Sequence, residues 1–467
     1  MTNAVQIDTQ SNQPFAFPRH IGLCMKLAVY ANKIKNDYFQ QSDFGSQNKI
    51  FIPPINSQAV LASGPIKQSQ TNFGVFRASD LLLEVDNPSF TPSNDGYAQR
   101  CLNYLTAVQL DTDASAGLVQ IRDEAYKRLS ETSQNFQAIA KKAKAAWQDS
   151  FDYPGTPLYQ WIIQNYPMYA AAENDQNAAS SAYNNVMNQI YGSNYMTLEK
   201  MKRDLQLALA QQSSAYTMIV NAALPEAADN TVADEYRPKY DIDAGYAKQV
   251  KAWIDQTVDR DNKHEKASIV INASDTSNYD WHSVGFDESK IDASGGFWPF
   301  FRVEYNESHT KQYDDVKVDE SSSGLSVKIV ADGISSFAVN PSSTWNPGNI
   351  KKTYPNLYKS ASKQLWDPMV QVSKIVVGYN VRIEISLDSN AYKSITSKVD
   401  TALSRDANAS ATLFGCRLDL GGSYHNSESN STKWSDVKKD DGSNTFVIPA
   451  SNNAMPVLLA VVGTVLS

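Results

Sequence analysis

The sequence predicts an α+β protein: a long-helix bundle, antiparallel and coiled-coil-like, followed by a β-rich sandwich or open-barrel domain. Two observations carry this. Two long stretches have apolar residues at steps of three and four, which line one helix face. After residue 265 the apolar period shortens to two, the signature of strands. In 467 residues a single simple core is exceeded and two or three domains are expected. The divisions read from composition are 1–96, a mixed segment that packs on the rest; 97–262, the helical bundle; and 263–467, the β-rich domain.

Within 1–96, Ile21 to Lys35 forms an amphipathic helix, and Pro53-Pro54 excludes a helix in the segment that follows it. Tyr97 to Leu110 reads as a short helix. Asp111 or Asp113 can cap the next, which runs to about Ser150 and stops at Pro154-Gly155. At 1.5 Å per residue it would be roughly 55–60 Å long. Its stripe is Leu118, Ile121, Ala125, Leu129, Thr132, Phe136, Ile139, Ala143 and Ala146. An extra residue between Ala125 and Leu129 shifts the repeat. A middle helix, about 166–191, sets Ala172, Ala179, Tyr183, Val186 and Ile190 on one face, with Gly192 to end it and Ser193 to cap its successor.

The second stripe, Leu198, Met201, Leu205, Ala208, Gln212, Ala215, Ile219 and Ala222, extends a helix to Pro225. A stripe of this length needs a partner, and each stretch is the expected partner of the other. The pairing seam is therefore assigned to Leu118, Ile121, Phe136 and Ile139 with Leu198, Met201, Leu205 and Ile219. Asp243 to Val258 adds a helix with Ala247, Val250, Trp253 and Ile254 inward.

From 265 onward, Ala267/Ile269/Ile271, Val316/Val318, Leu325/Val327/Ile329, Val381 to Leu387 and Phe414 to Leu420 alternate with polar residues. Val457 to Leu466 is apolar on both faces and reads as a fully buried strand. About eight strands with polar turns, one at Asp440-Asp441-Gly442, suggest the sandwich or barrel.

A formal net charge of −8 and the absence of a dense Lys/Arg cluster argue against nucleic acid as a partner. No basic region followed by an apolar run opens the chain, so no secretory signal is expected. The protein is read as cytoplasmic when made, or released without a classical signal. Cys24, Cys101 and Cys416 are odd in number and far apart, which speaks against a disulfide framework. Five histidines, His20, His264, His282, His309 and His425, show no metal-ligand spacing. Asp241-Ile-Asp243-Ala-Gly245 resembles the start of a calcium loop but has Ala252 where a bidentate glutamate is required, so Asp243 reads as a helix cap. No phosphate-binding loop, dinucleotide fingerprint or nucleophile elbow occurs, and no cofactor or metal is expected.

Two segments suggest binding. Gly295 to Phe301 collects Phe297, Trp298, Phe300 and Phe301 after a glycine pair: a strand entering the core, or an exposed aromatic loop for a membrane, a sugar or a partner. Tyr305 to Gly324 reads as an exposed hairpin, loaded with carboxylates that oppose membrane entry. The expectation is a non-enzymatic, toxin-like protein of the pore-forming type, acting by homo-oligomerisation and by binding a membrane or cell-surface ligand. A self-assembling cytoplasmic structural or storage protein is the alternative, and an enzyme with a dispersed active site the third.

Overall fold

A computed structural model describes residues 21–39, 47–53, 68–89, 96–110, 114–150, 155–210, 215–221, 233–258, 266–272, 275, 281–287, 290–291, 300–307, 310–316, 324–421, 432–450 and 456–466. Within these the chain is mixed α+β, with ten helices, mostly antiparallel sheets and no closed barrel. In chain order the elements are α1 (Ile21–Tyr38), β1 (Asn48–Phe51), α2 (Gln68–Ser79), α3 (Tyr97–Thr106), α4 (Ala116–Gln148), α5 (Leu158–Asn165), α6 (Pro167–Tyr191) and α7 (Ser193–Leu209). Then come β2 (Thr217–Val220), β3 (Glu235–Pro238), β4 (Tyr240–Ile242), α8 (Tyr246–Val258), β5 (Ala267–Asn272), β6 (Phe301–Glu307), β7 (Thr310–Val316), β8 (Ser326–Ala331), β9 (Gly333–Pro341) and α9 (Ile350–Thr353). The last are β10 (Met369–Tyr379), β11 (Arg382–Ser386), α10 (Ser389–Arg405), β12 (Ser410–Leu413), β13 (Cys416–Asp419), β14 (Thr432–Lys433), β15 (Lys438–Asp440), β16 (Thr445–Ile448) and β17 (Val457–Leu466).

Two compact units result. One comprises 1–103, 204–352 and 362–467; the other comprises 104–203 and 353–361.

The larger unit holds three five-stranded sheets, ordered β1-β17-β10-β9-β4, β15-β16-β11-β8-β5 and β14-β13-β12-β6-β7, with β2 and β3 as a separate pair. β17 runs between β1 and β10, and Val457 to Val462 are buried on both faces, as their uninterrupted apolar run requires. Tyr30 of α1 donates to the Leu459 carbonyl at 3.2 Å, tying the first described helix to the last strand.

Two strand pairs bend from the first sheet into the second at one corner. β9 pairs with β10 up to Gly333 opposite Tyr379, and β8 pairs with β11 from Arg382 opposite Val330. Between them stands Asp332, whose side chain is nearly fully buried. Its carboxylate accepts from the Asn380 amide, from the Thr257 hydroxyl at 2.9 Å and from Lys266 at 3.1 Å. Burial pushes this carboxyl up, but the hydrogen bonds from Asn380, Lys266 and Thr257 outweigh it and hold it below its ordinary range. Asn380 has φ of 53°, a left-handed conformation that asparagine tolerates and that turns the chain. Gly333 follows, and a Cβ there would lie 2.1 Å from Trp253 Nε1 of α8.

A second buried carboxylate joins α2, α3 and β4. Asp80 accepts from Tyr240 Oη at 2.5 Å and from the Ala98 amide at 2.9 Å, so it caps α3 from the end of α2. Burial, against those hydrogen bonds and the Arg237 charge, raises it to about 6.

The structure departs from several expectations. The long helix starts at a Ser115 cap, whose side chain accepts from the Leu118 amide; Asp111 and Asp113 lie outside the described residues. That helix packs along α6, not along α7. α7 ends at Leu209, and Ile219 sits in β2, 41 % exposed, instead of on a helical seam. The run Thr217-Met-Ile-Val220 is β-branched and pairs with β3, which wins over helical spacing. Leu198 and Leu205 are buried on α7, and Met201 is half-buried. Strands β2, β3 and β4 thus interrupt the segment read as helical. Phe414 and Gly415, read as strand, form the β12–β13 turn with φ of 46° and 76°, leaving Cys416 buried on β13. Of the stretch read as a hairpin, residues 310–316 pair antiparallel with β6 from Glu307 opposite Thr310 to Phe301 opposite Val316, so β6 and β7 form a hairpin at the sheet edge, and Asp315 pairs with Arg302 at 2.8 Å.

Two outcomes follow. Asp332→Ala leaves the Asn380 amide without its acceptor, releases Lys266 and leaves the Thr257 hydroxyl only the Trp253 carbonyl at 2.8 Å; it lowers the unfolding free energy by about 3 kcal/mol, read by denaturant titration. Asp80 has a folded pKa above its unfolded value of about 3.9, so its contribution is greatest below that value and is lost as pH rises to about 6. The difference between wild-type and Asp80→Asn stability should therefore decline between about pH 4 and pH 6, measured by melts across that range.

Candidate functional site

The smaller unit is built on a helical hairpin. α4, with 33 residues, is about 50 Å long. Tyr126 meets Tyr183 with ring centroids 5.8 Å apart, Phe136 meets Tyr169 at 5.0 Å, and Gln176 donates to Ser133 Oγ at 3.3 Å. Residue numbers that rise on α4 fall on α6, so the two helices are antiparallel. Alanines let them approach: Ala143 on α4 and Ala172 and Ala179 on α6 are buried. The rest of the stripe, including Leu118, Phe136 and Ile139, is half-buried, and Ile121 is 49 % exposed. A two-helix contact covers only part of such a stripe. At the far end of α6, Gly192 with φ of 65° ends the helix.

The connection between these helices is the candidate site. Pro157 precedes α5, and Pro167 at the first turn of α6 breaks the helix after Tyr166. Between them lies Leu-Tyr-Gln-Trp-Ile-Ile-Gln-Asn, apolar on more than one side. Its inner face buries Trp161 and Ile162 against Ala143, with Ala146, Trp147, Leu158, Tyr166 and Tyr169 closing the cluster. Trp147 Nε1 donates to the Thr156 carbonyl at 2.8 Å, and Asn165 Nδ2 to the Trp161 carbonyl at 3.1 Å. Burial first, then the charges of Glu173 and Tyr159, push the Tyr169 phenol up.

The outer face is uncovered. Tyr159 and Ile163, one turn apart, are 63 % and 61 % exposed, and Met168 at the start of α6 is 63 % exposed. The last two turns of α4 carry exposed Lys141, Lys142 and Lys144. The hairpin end thus combines an apolar outer surface with three cations, a composition suited to an interface between water and hydrocarbon.

The aromatic segment selected from sequence does not supply such a surface where it is described. Phe300 and Phe301 are buried; Phe300 packs edge-on to Phe414 at 5.9 Å, and Phe301 opens β6 opposite Leu413. Phe297 and Trp298 lie outside the described residues. Sequence reading missed α5, although its five apolar residues in eight, flanked by prolines, were a readable signal.

Cys101 is buried, and burial pushes its thiol up to about 12. His282 is exposed, and the other histidines lie outside the described residues. Among the described residues no three His, Cys, Asp or Glu side chains are grouped to hold a metal ion, and no helix is long and apolar enough to cross a membrane. No family model matches the sequence, and neither a curated protein nor a solved structure is similar to it.

The aromatic cluster beneath α5 fixes its outer face, so Trp161→Ala should lower the unfolding free energy by about 3 kcal/mol, detected by calorimetry together with loss of near-ultraviolet dichroism.

Proposed function

We propose that the protein is a non-enzymatic, toxin-like protein of the pore-forming type, which docks the α5 end of its helical hairpin on a membrane and then associates with further copies. The observation that supports this reading is the exposed outer face of α5, formed by Tyr159 and Ile163 and continued by Met168. A soluble surface seldom leaves such a helix without cover. Burial of each large apolar side chain in lipid yields roughly 1.5–3 kcal/mol, and Lys141, Lys142 and Lys144 favour anionic headgroups.

No single described helix is apolar enough to span a bilayer. In this reading several copies insert as a group, and the α4/α6 pair acts as a coiled-coil-like element. Asn174, Asn177, Asn185 and Asn188, exposed on α6, would then face water inside the assembly. Exposed Ile121 and Tyr126 on α4 are further surface for contact between copies. The sheets form the sandwich-type module of the same chain.

Light scattering with and without anionic liposomes, alongside dye release, tests the reading. Discrete oligomers and leakage are expected with lipid. The variant Tyr159→Ser/Ile163→Ser/Met168→Ser removes only exposed apolar groups, so it should keep the wild-type melting temperature and lose at least roughly tenfold in vesicle affinity. Unchanged binding by this variant, or wild-type protein indifferent to lipid, overturns it. Large lipid-independent assemblies without leakage would instead support a structural protein.

A further inference from the structure

We infer that the outer face of the β15-β16-β11-β8-β5 sheet carries a binding site for a small acidic carbohydrate, a sugar bearing a phosphate, sulfate or carboxylate. The two faces of this sheet differ sharply. On one, Ile269, Ile329, Ile383, Ile385, Phe446 and Ile448 are buried, and Tyr392 of α10 stacks on Phe446 with ring centroids 4.5 Å apart. On the other, a cavity of about 340 Å³ opens, a volume in the range of small-ligand sites.

Three cations converge on this cavity in a chain whose net charge is negative: Lys266, Arg382 and Lys438. Strand pairing sets them there. Arg382 faces Val330 on β8, Glu384 faces Val447 on β16, and Val447 in turn faces Lys438 on β15. Two carboxylates adjoin them, and both are engaged. Glu384 accepts from Arg382 Nη2 at 2.6 Å, and Asp332 holds Lys266 at 3.1 Å. Lys438 stands on an exposed edge strand and makes no ion pair among the described residues. Arg382 uses one terminal nitrogen on Glu384; the rest of its planar fork remains for two-point binding of an oxyanion.

The remaining lining decides the rest of the ligand. Val330, Val447, Pro449 and Ala450 give the lining an apolar part, carbons on which the C–H face of a sugar ring can pack. The Glu384 carboxylate in the lining accepts hydrogen bonds from sugar hydroxyls. A bare anion would leave the apolar part empty, and a neutral sugar would leave Lys438 and the Arg382 fork unpaired. A phosphorylated, sulfated or uronic sugar satisfies all three. The site lies at the Asp332 corner, which fixes Lys266 and Asn380, so it is formed before the ligand arrives. It shares no residue with the hairpin end and does not depend on the membrane reading.

Calorimetric titration of the full chain with glucuronate, glucose phosphate and inorganic phosphate tests the inference. Saturable binding of at least one sugar acid is expected, tighter than inorganic phosphate and weakened by salt. Lys438→Gln, on an exposed edge, should retain the wild-type melting curve and weaken binding roughly 10- to 100-fold. Arg382→Gln should do the same, and Lys363→Gln should leave binding unchanged. A second arm uses phosphatidylcholine vesicles with and without phosphatidylinositol phosphate, with the apolar hairpin variant as the background. Binding there that Lys438→Gln removes identifies a lipid headgroup as the source of the sugar acid; free-ligand binding alone identifies a soluble one. No saturable binding in either arm, or binding that neither Lys438→Gln nor Arg382→Gln alters, overturns the inference.

Discussion

The larger unit depends on one buried carboxylate. A strand pair that leaves one sheet and enters another must interrupt its ladder, and the freed polar groups need partners away from water. Asp332 supplies them at the corner between β8 and β9. Its backbone amide donates to the Tyr379 carbonyl at 2.9 Å, while its side chain collects Asn380, Thr257 and Lys266. These residues come from the β10–β11 connection, from α8 and from the start of β5, so one side chain sets the register of two sheets and the seat of a helix. The adjoining Gly333 lets Trp253 lie against the backbone, where a Cβ would force the ring away. A neutral core of similar volume could be equally stable, but it would not select this bend over a continuous ribbon.

The helical hairpin follows the opposite logic. Its seam is narrow and alanine-rich, and few of its residues are fully buried. Its largest buried side chains stand at the α5 end, where Trp161 and Ile162 close on Ala143. A helix with apolar residues on both inner and outer faces gains from burial twice but finds only one partner within its own unit. This imbalance makes the outer face available, and it arises from the eight residues of α5, not from the long stripes that dominate the sequence.

Much of the fold was legible because local signals agreed with the tertiary outcome. The α6 helix ends at Gly192, where only a left-handed residue fits. Tyr246 to Val258 forms its helix with Val250 and Trp253 buried and Asp243 accepting from the Gly245 amide. Alternation located β5, β8 and β11, and the unbroken apolar run located β17. The failures have separate causes. A stripe announces that a face will be covered but does not say by what, so α4 was matched with α7 although α6, the nearer segment in sequence, covers it. Helical spacing beyond Leu209 competed with the strand pairing of Thr217 to Val220 and lost. The α10 helix was overlooked although Asp388 caps it and Tyr392, Ile395, Val399 and Ala402 form its buried stripe.

The candidate sites were less legible than the fold, for a physical reason. Core positions are marked by periodicity, because burial repeats along an element. Binding positions are marked by convergence, which joins residues far apart in the chain. Arg382 and Glu384 could be assigned to the polar face of β11 from alternation alone, but the approach of Lys266 and Lys438 to that face needs the strand order of the sheet. The aromatic segment near Phe300 shows the converse. Its composition fits a strand entering the core as well as an exposed loop, and where it is described it is the former: Phe301 pairs with Leu413 of β12 and Phe300 packs on Phe414. Exposure, not composition, separates a core aromatic from a docking one, and it separates Phe301 from Tyr159 and Ile163.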